Sequence, residues 1–209
     1  MVRPLPTPVA APAAVAWTDE RWRGLPLAGA VLYEIPAGAF TPDGTFDAAI
    51  DRLPHLVELG VDAVELLPVA QFPGERGWGY DGVALFAPHH AYGGPDGLDR
   101  FVDACHAHGL GVIFDVVYNH LGPLGNHLAE FGPYFTDRHR TPWGDAVNVD
   151  GPGADEVRAF IVDSARHWLR DHHGDGLRLD AVHAIVDDSP LHLLEELAER
   201  APGNSVEVR

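Results

Sequence analysis

The chain has 209 residues, 46% of them apolar, and its five Trp, five Tyr and nine Phe suffice for one good-sized core. A formal charge of −17 argues against nucleic acid and anionic membrane partners, which need basic surface, and fits a neutral substrate. The single cysteine, Cys105, excludes an intrachain disulfide and points to a reducing cytoplasm, and no apolar run reaches the roughly 20 residues of a membrane span.

In chain order, residues 1–30 read as an extended lead-in, with four prolines in the first twelve positions breaking any signal-like apolar run. Residues 31–35 form a candidate first strand. Thr45 is placed to cap a helix running to Leu59, with Ile50, Leu53, Leu56 and Val57 on one face and Gly60 as its stop. Residues 62–68 are a nearly all-apolar strand, as expected for burial on both faces.

Residues 70–93 read as a long loop dense in Gly and aromatics, and such loops in compact domains are usually functional. A helix over 95–108, a strand over 111–117 and an irregular excursion over 121–152 follow. A helix over 154–171, a strand over 175–182, a helix over 190–200 and a fifth strand over 205–209 complete the pattern. Strands alternating with helices imply parallel strands and an α/β fold. Charged residues at C-terminal strand ends favour a (β/α)₈ TIM barrel over a doubly wound sheet, here its first four to five strands over residues 31–209.

Arg178 and Asp180 are two residues apart on the fourth strand and so share a face. Opposite charges on an apolar strand are costly unless paired, and an Arg beside a carboxylate keeps it ionised, which makes Asp180 a candidate nucleophile. Tyr80 and Asp81 after strand two, and Asp115, Asn119 and His120 at the end of strand three, fall on the same predicted rim. His89-His90 and His172-His173 read as surface pairs whose rings point apart, so no metal is expected. No Gly-x-Gly-x-x-Gly, Walker or Gly-x-Ser-x-Gly pattern occurs, and no cofactor is expected.

At these residues the chain resembles the α-amylase superfamily, glycoside hydrolase family 13. Asp115 to His120 is similar to that family's first signature region, and Gly176 to His183 to its second, which holds the nucleophile. Gly79-Tyr80-Asp81 resembles the segment whose Tyr lines the sugar subsite at the cleaved bond, and Leu66 to Ala70, Gly77 to Val83, Tyr92 to Leu98, Phe131 to Thr136 and Pro142 to Gly144 extend the likeness. The resemblance implies a retaining glycosidase that cleaves the α-1,4 bond next to a terminal trehalose unit of a malto-oligosyl chain. It implies Asp180 as nucleophile, Arg178 to orient it, Tyr80 stacking on the sugar, and His120 and His183 bonded to its hydroxyls. Trp78 is expected at the glucan, with Asp115 and Asn119 bracing the site.

A retaining mechanism needs a second carboxyl about 5–5.5 Å from the nucleophile. The family takes it from the end of strand five, where Glu207 is the candidate, although Ser205 to Arg209 does not resemble the family's segment; its later Asp on strand seven has no counterpart here. Pro36 stands after strand one where the resembled branch has His. The chain is therefore expected to be a fragment of a catalytic domain. The alternatives are a catalytically incompetent fragment that binds α-glucan, and a related branching or debranching enzyme.

Overall fold

The computed structural model describes residues 15–201 and the backbone of 205–208; the expected linker over the first fourteen residues lies outside them. The strands are β1 (Leu32–Ile35), β2 (Ala63–Leu66), β3 (Ala70–Gln71), β4 (Ala84–Pro88), β5 (Gly111–Val116), β6 (Phe135–Thr141), β7 (Gly144–Val147), β8 (Gly176–Leu179) and β9 (Ser205–Val208). The α-helices are α1 (Ala37–Phe40), α2 (Phe46–Ile50), α3 (Leu53–Glu58), α4 (Gly94–Ala107), α5 (Ala154–Arg166) and α6 (Leu193–Arg200). None of the described helices is long and apolar enough to cross a membrane.

Five strands form one sheet in the order β1-β2-β5-β8-β9, each parallel to its neighbour. Every core strand lies beside the one before it, so the sheet winds in a single direction, as an arc of a barrel does. A doubly wound sheet reverses its order, and no reversal occurs here. β2 and β5 are buried at every position. Val112, Phe114 and Val116 of β5 pack outward into the helical layer, where Phe114 meets Trp168 at 5.4 Å. Alternation therefore leaves Ile113 and Asp115 on the inner face, with Arg178 in register with Asp115.

The structure corrects several sequence expectations, four of them away from the charged cluster. The helix expected over 45–59 is two helices, because Pro54 lacks the N–H that would continue the ladder and sits in the first turn of α3. Thr45 does cap α2, accepting from the Ala48 amide at 3.2 Å. The expected loop over 70–93 contains the antiparallel pair β3–β4, too short and irregular in register to show periodicity. The excursion after β5 contains the hairpin β6–β7, whose first strand is mostly polar.

The expected surface histidines are the fourth correction. His89 is fully buried, its ring stacked on Phe72 at 3.8 Å, and His172 is buried with Nδ1 2.6 Å from Asp99 Oδ1. His172 follows α5, which ends in a π-helical turn, His167–Asp171, rather than running on as α-helix.

Candidate active site

Local backbone geometry puts the charged side chains at one end of the sheet. β8 stops at Leu179 rather than at 182, and Ala181 takes a left-handed conformation (φ 42°) that turns the chain directly after Asp180. Gly79, at φ 90°, brings the Tyr80 segment against the chain leaving β2: a Cβ at Gly79 would sit 1.9 Å from the Pro68 carbonyl oxygen. Gly122 approaches as closely from the other side, where a Cβ would lie 2.1 Å from the Asp81 carbonyl oxygen.

Arg178 is the hub. Its Nη1 donates to both oxygens of Asp115 at 2.8 Å and to Asp180 Oδ1 at 2.9 Å. The Tyr80 hydroxyl donates to Asp115 Oδ2 at 2.9 Å. Asn119 Nδ2 donates to the Asp180 carbonyl at 2.6 Å and to its Oδ2 at 3.2 Å. Asp180 is thus gripped through both carboxylate oxygens and its main chain. His120 bonds Asn119 Oδ1 through Nδ1 and the Tyr80 carbonyl through Nε2, the latter at 3.0 Å.

Burial raises the Asp115 carboxyl above its usual range, against the lowering effect of the Arg178 bonds. Burial and the Asp115 charge raise the Tyr80 phenol, which stays neutral and acts as a donor. Arg178 is held more firmly protonated, because its carboxylate partners outweigh its own burial.

The structure gathers Asp180, Arg178, Asp115, Tyr80, Asn119 and His120 into one hydrogen-bonded cluster. His183 lies one turn beyond Asp180, exposed, with no hydrogen bond to that cluster. Trp78 is 78% exposed and lines a cleft of about 610 Å³ with Pro36, Arg76 and Tyr92, at the end of the sheet where β1 and β2 finish. Glu207 pairs with Arg178 in the backbone register of β9, and its side chain lies outside the described residues.

Two contributors escape a sequence reading. Trp143, at the turn of the β6–β7 hairpin, stacks on His120 with centroids 4.5 Å apart and planes 5° apart, and stays half exposed. Its only signal was its place in the Pro-Trp-Gly stretch. Glu65 is buried on β2, in register with Ile113 of the inner face, within a strand whose apolar text hides it.

A parallel, singly wound sheet with a paired carboxylate at a strand's C-terminal end is an arrangement of α/β-barrel glycosidases. The chain belongs to the α-amylase catalytic-domain family: the model of that family, "Alpha amylase, catalytic domain", matches residues 18–132. Malto-oligosyltrehalose trehalohydrolase of Arthrobacter ramosus is 65% identical over 90% of this chain and 33% of its own length. The enzyme of that name from Saccharolobus solfataricus is 50% identical over 88% of this chain and 33% of its own.

The chain thus spans about a third of the curated relatives it matches. Among solved structures, an alpha-amylase candidate from Salmonella typhimurium superposes with a TM-score of 0.89 at 46% identity, covering 96% of this chain and 35% of that one. Pullulanase from Paenibacillus barengoltzii, solved with maltohexaose and α-cyclodextrin, gives 0.72 at 26% identity over 87% and 35%.

Proposed function

We propose that this chain is the N-terminal part of a (β/α)₈ catalytic domain, and that the reaction it serves is retaining hydrolysis of the α-1,4 bond next to the trehalose end of a malto-oligosyl chain, with release of trehalose. The observation that carries the reading is the Asp180 carboxylate, held by Arg178 and Asn119 at the end of a parallel strand. The choice of substrate is supported by 65% identity to an enzyme named for it.

In this reading Asp180 attacks the anomeric carbon and a glycosyl ester forms, while the leaving oxygen takes a proton from a second carboxyl group. The same group then removes a proton from water, which cleaves the ester with net retention. Arg178 and Asn119 fix the nucleophile so that little reorganisation is needed. Tyr80 offers its ring to the sugar, His120 and His183 bond its hydroxyls, Asp115 braces Arg178, and Trp78 meets the glucan along the cleft. Glu207 is the candidate acid. A 1,4-α-glucan branching enzyme of Xanthomonas campestris, 35% identical over 85% of the chain, marks the neighbouring chemistry, in which a sugar hydroxyl replaces water.

The test uses two substrates and the Asp180→Asn variant. An α-maltosyl fluoride loses fluoride without protonation, so it reports the nucleophile independently of the acid. Fluoride release that vanishes in Asp180→Asn supports Asp180, and trehalose release from maltotriosyl-trehalose supports the complete reaction. Fluoride release that persists in Asp180→Asn overturns the assignment of Asp180, and a folded chain that releases neither product is the catalytically incompetent fragment.

A further inference from the structure

Away from the Asp180 cluster, the β6–β7 hairpin region and a loop some way further along the chain bring metal-ligating side chains to one point. His139 stands on β6, Asp150 follows β7, and Asp188 lies in the loop beyond the turn that follows β8. One donor atom from each lies within 4.8 Å of the other two. His139 Nε2 is 2.8 Å from Asp150 Oδ2 and 3.9 Å from Asp188 Oδ2.

Asp150 is the anchor. Its side chain is only 1% exposed, and its Oδ2 also accepts from the Asp188 amide at 3.1 Å. Its Oδ1 is buried and accepts no hydrogen bond from any described residue. A buried carboxylate oxygen left without a donor is costly and uncommon. The nearest cation is Arg138, with Nη1 3.4 Å from that oxygen and Nη2 3.8 Å from Asp188 Oδ2. Those contacts are long, the Arg138 side chain is half exposed, and its one hydrogen bond here goes to the Asp150 carbonyl at 3.2 Å.

We propose that His139, Asp150 and Asp188 bind one divalent first-row transition ion of the zinc class. One imidazole and two carboxylates suit such an ion, whereas calcium takes six to eight oxygen ligands. Asp188 is 68% exposed, which leaves an entry path and room for a water as fourth ligand. On binding, His139 takes the tautomer with its proton on Nδ1 and gives the Nε2 lone pair to the ion, Asp150 turns an oxygen from His139 to the metal, and Arg138 swings outward.

The position gives the ion a consequence. It would fasten the β6–β7 hairpin to the loop beyond β8. That hairpin carries Trp143 against His120, and the loop is tied on its other side by Asp187 to Arg158 at 2.7 Å. The ion therefore braces a wall of the candidate active site without touching the reacting atoms.

The experiment titrates zinc chloride, and separately cobalt(II), into chelator-treated protein, its Asp188→Asn variant and its His139→Gln variant. Saturable uptake of one ion, visible absorption of four-coordinate cobalt and a melting temperature that climbs with zinc are expected in the parent. Both variants should bind at least about tenfold more weakly while melting like the parent in chelator. Absence of saturable uptake, or uptake unchanged by both substitutions, overturns the proposal and leaves the four side chains as an ion-pair network.

Discussion

Arg178 shows how far single residues were legible. That it pairs with Asp180 follows from alternation alone, since residues i and i+2 of a strand share a face. That it also holds Asp115 depends on the register between β5 and β8, which no local pattern reveals. Removing it leaves Asp115, whose side chain is 2% exposed, with only the Tyr80 hydroxyl for a side-chain partner among the described residues. Arg178→Met should cost about 3 kcal/mol, the size of loss seen when one member of a buried pair is removed, read as a lower urea midpoint at unchanged slope. His89 makes the opposite point, because its neighbours in sequence hide its burial. Both of its ring nitrogens lack partners among the described residues, and burial, helped by the proximity of His90, lowers its pKa to about 4. The unfolded chain then binds the extra proton between pH 6.5 and about 4 and the folded chain does not. Stability should therefore fall by roughly 2–3 kcal/mol as pH drops through that window. His89→Leu should flatten this fall in pH-dependent urea melts.

Elements with strong periodicity were legible and those built from few or polar residues were not. α4 and α5 follow from amphipathic spacing, whereas β3, with two residues, and β6, with Asp, Arg and His, carry no apolar alternation. The lead-in segment gave no periodic signal, yet it is strapped to the sheet. Trp22 stacks on His106 at 4.7 Å and donates to Asp175 at 2.6 Å, while Trp17 stacks on His173 at 3.7 Å. His106 meets Asp19 through Nδ1 at 2.9 Å and Asp175 through Nε2 at 3.0 Å. An imidazole can donate from both nitrogens only when protonated. Burial opposes that charge, but the bonds to Asp175 and Asp19 outweigh it and raise the His106 pKa above 6.5. A raised folded-state pKa gives stability that is complete below the unfolded value and lost as pH climbs through the folded one. Amide exchange over residues 17–23 should accelerate more steeply than base catalysis alone requires as pH climbs above 6.5 and His106 loses its proton. His106→Gln should exchange fast throughout, and a parent profile that merely tracks base catalysis would count against the strap.

At the scale of the molecule, the sheet is an arc with two ends. Among the described strands, β1 and β9 each pair on one side only. Burial grades accordingly: β2 and β5 are buried throughout, whereas β1 leaves Tyr33 39% exposed and Glu34 exposed beside it. Unpaired strand edges are templates for other strands, and an open arc leaves its inner face without the packing that closure supplies. That face carries Asp115, Arg178 and the buried Glu65, so its own polar groups must stabilise it. Glu34 on the edge and the charge of −17 oppose stacking of copies, which limits growth but does not satisfy the edge. The isolated chain should therefore be marginally stable and self-associate as its concentration rises, with the tendency growing as salt screens its charge. Sedimentation velocity across a hundredfold concentration range, at low and high salt, reads both effects. A single monomeric species with a sharp, concentration-independent melting transition would mean that five strands with their helices form a self-sufficient unit.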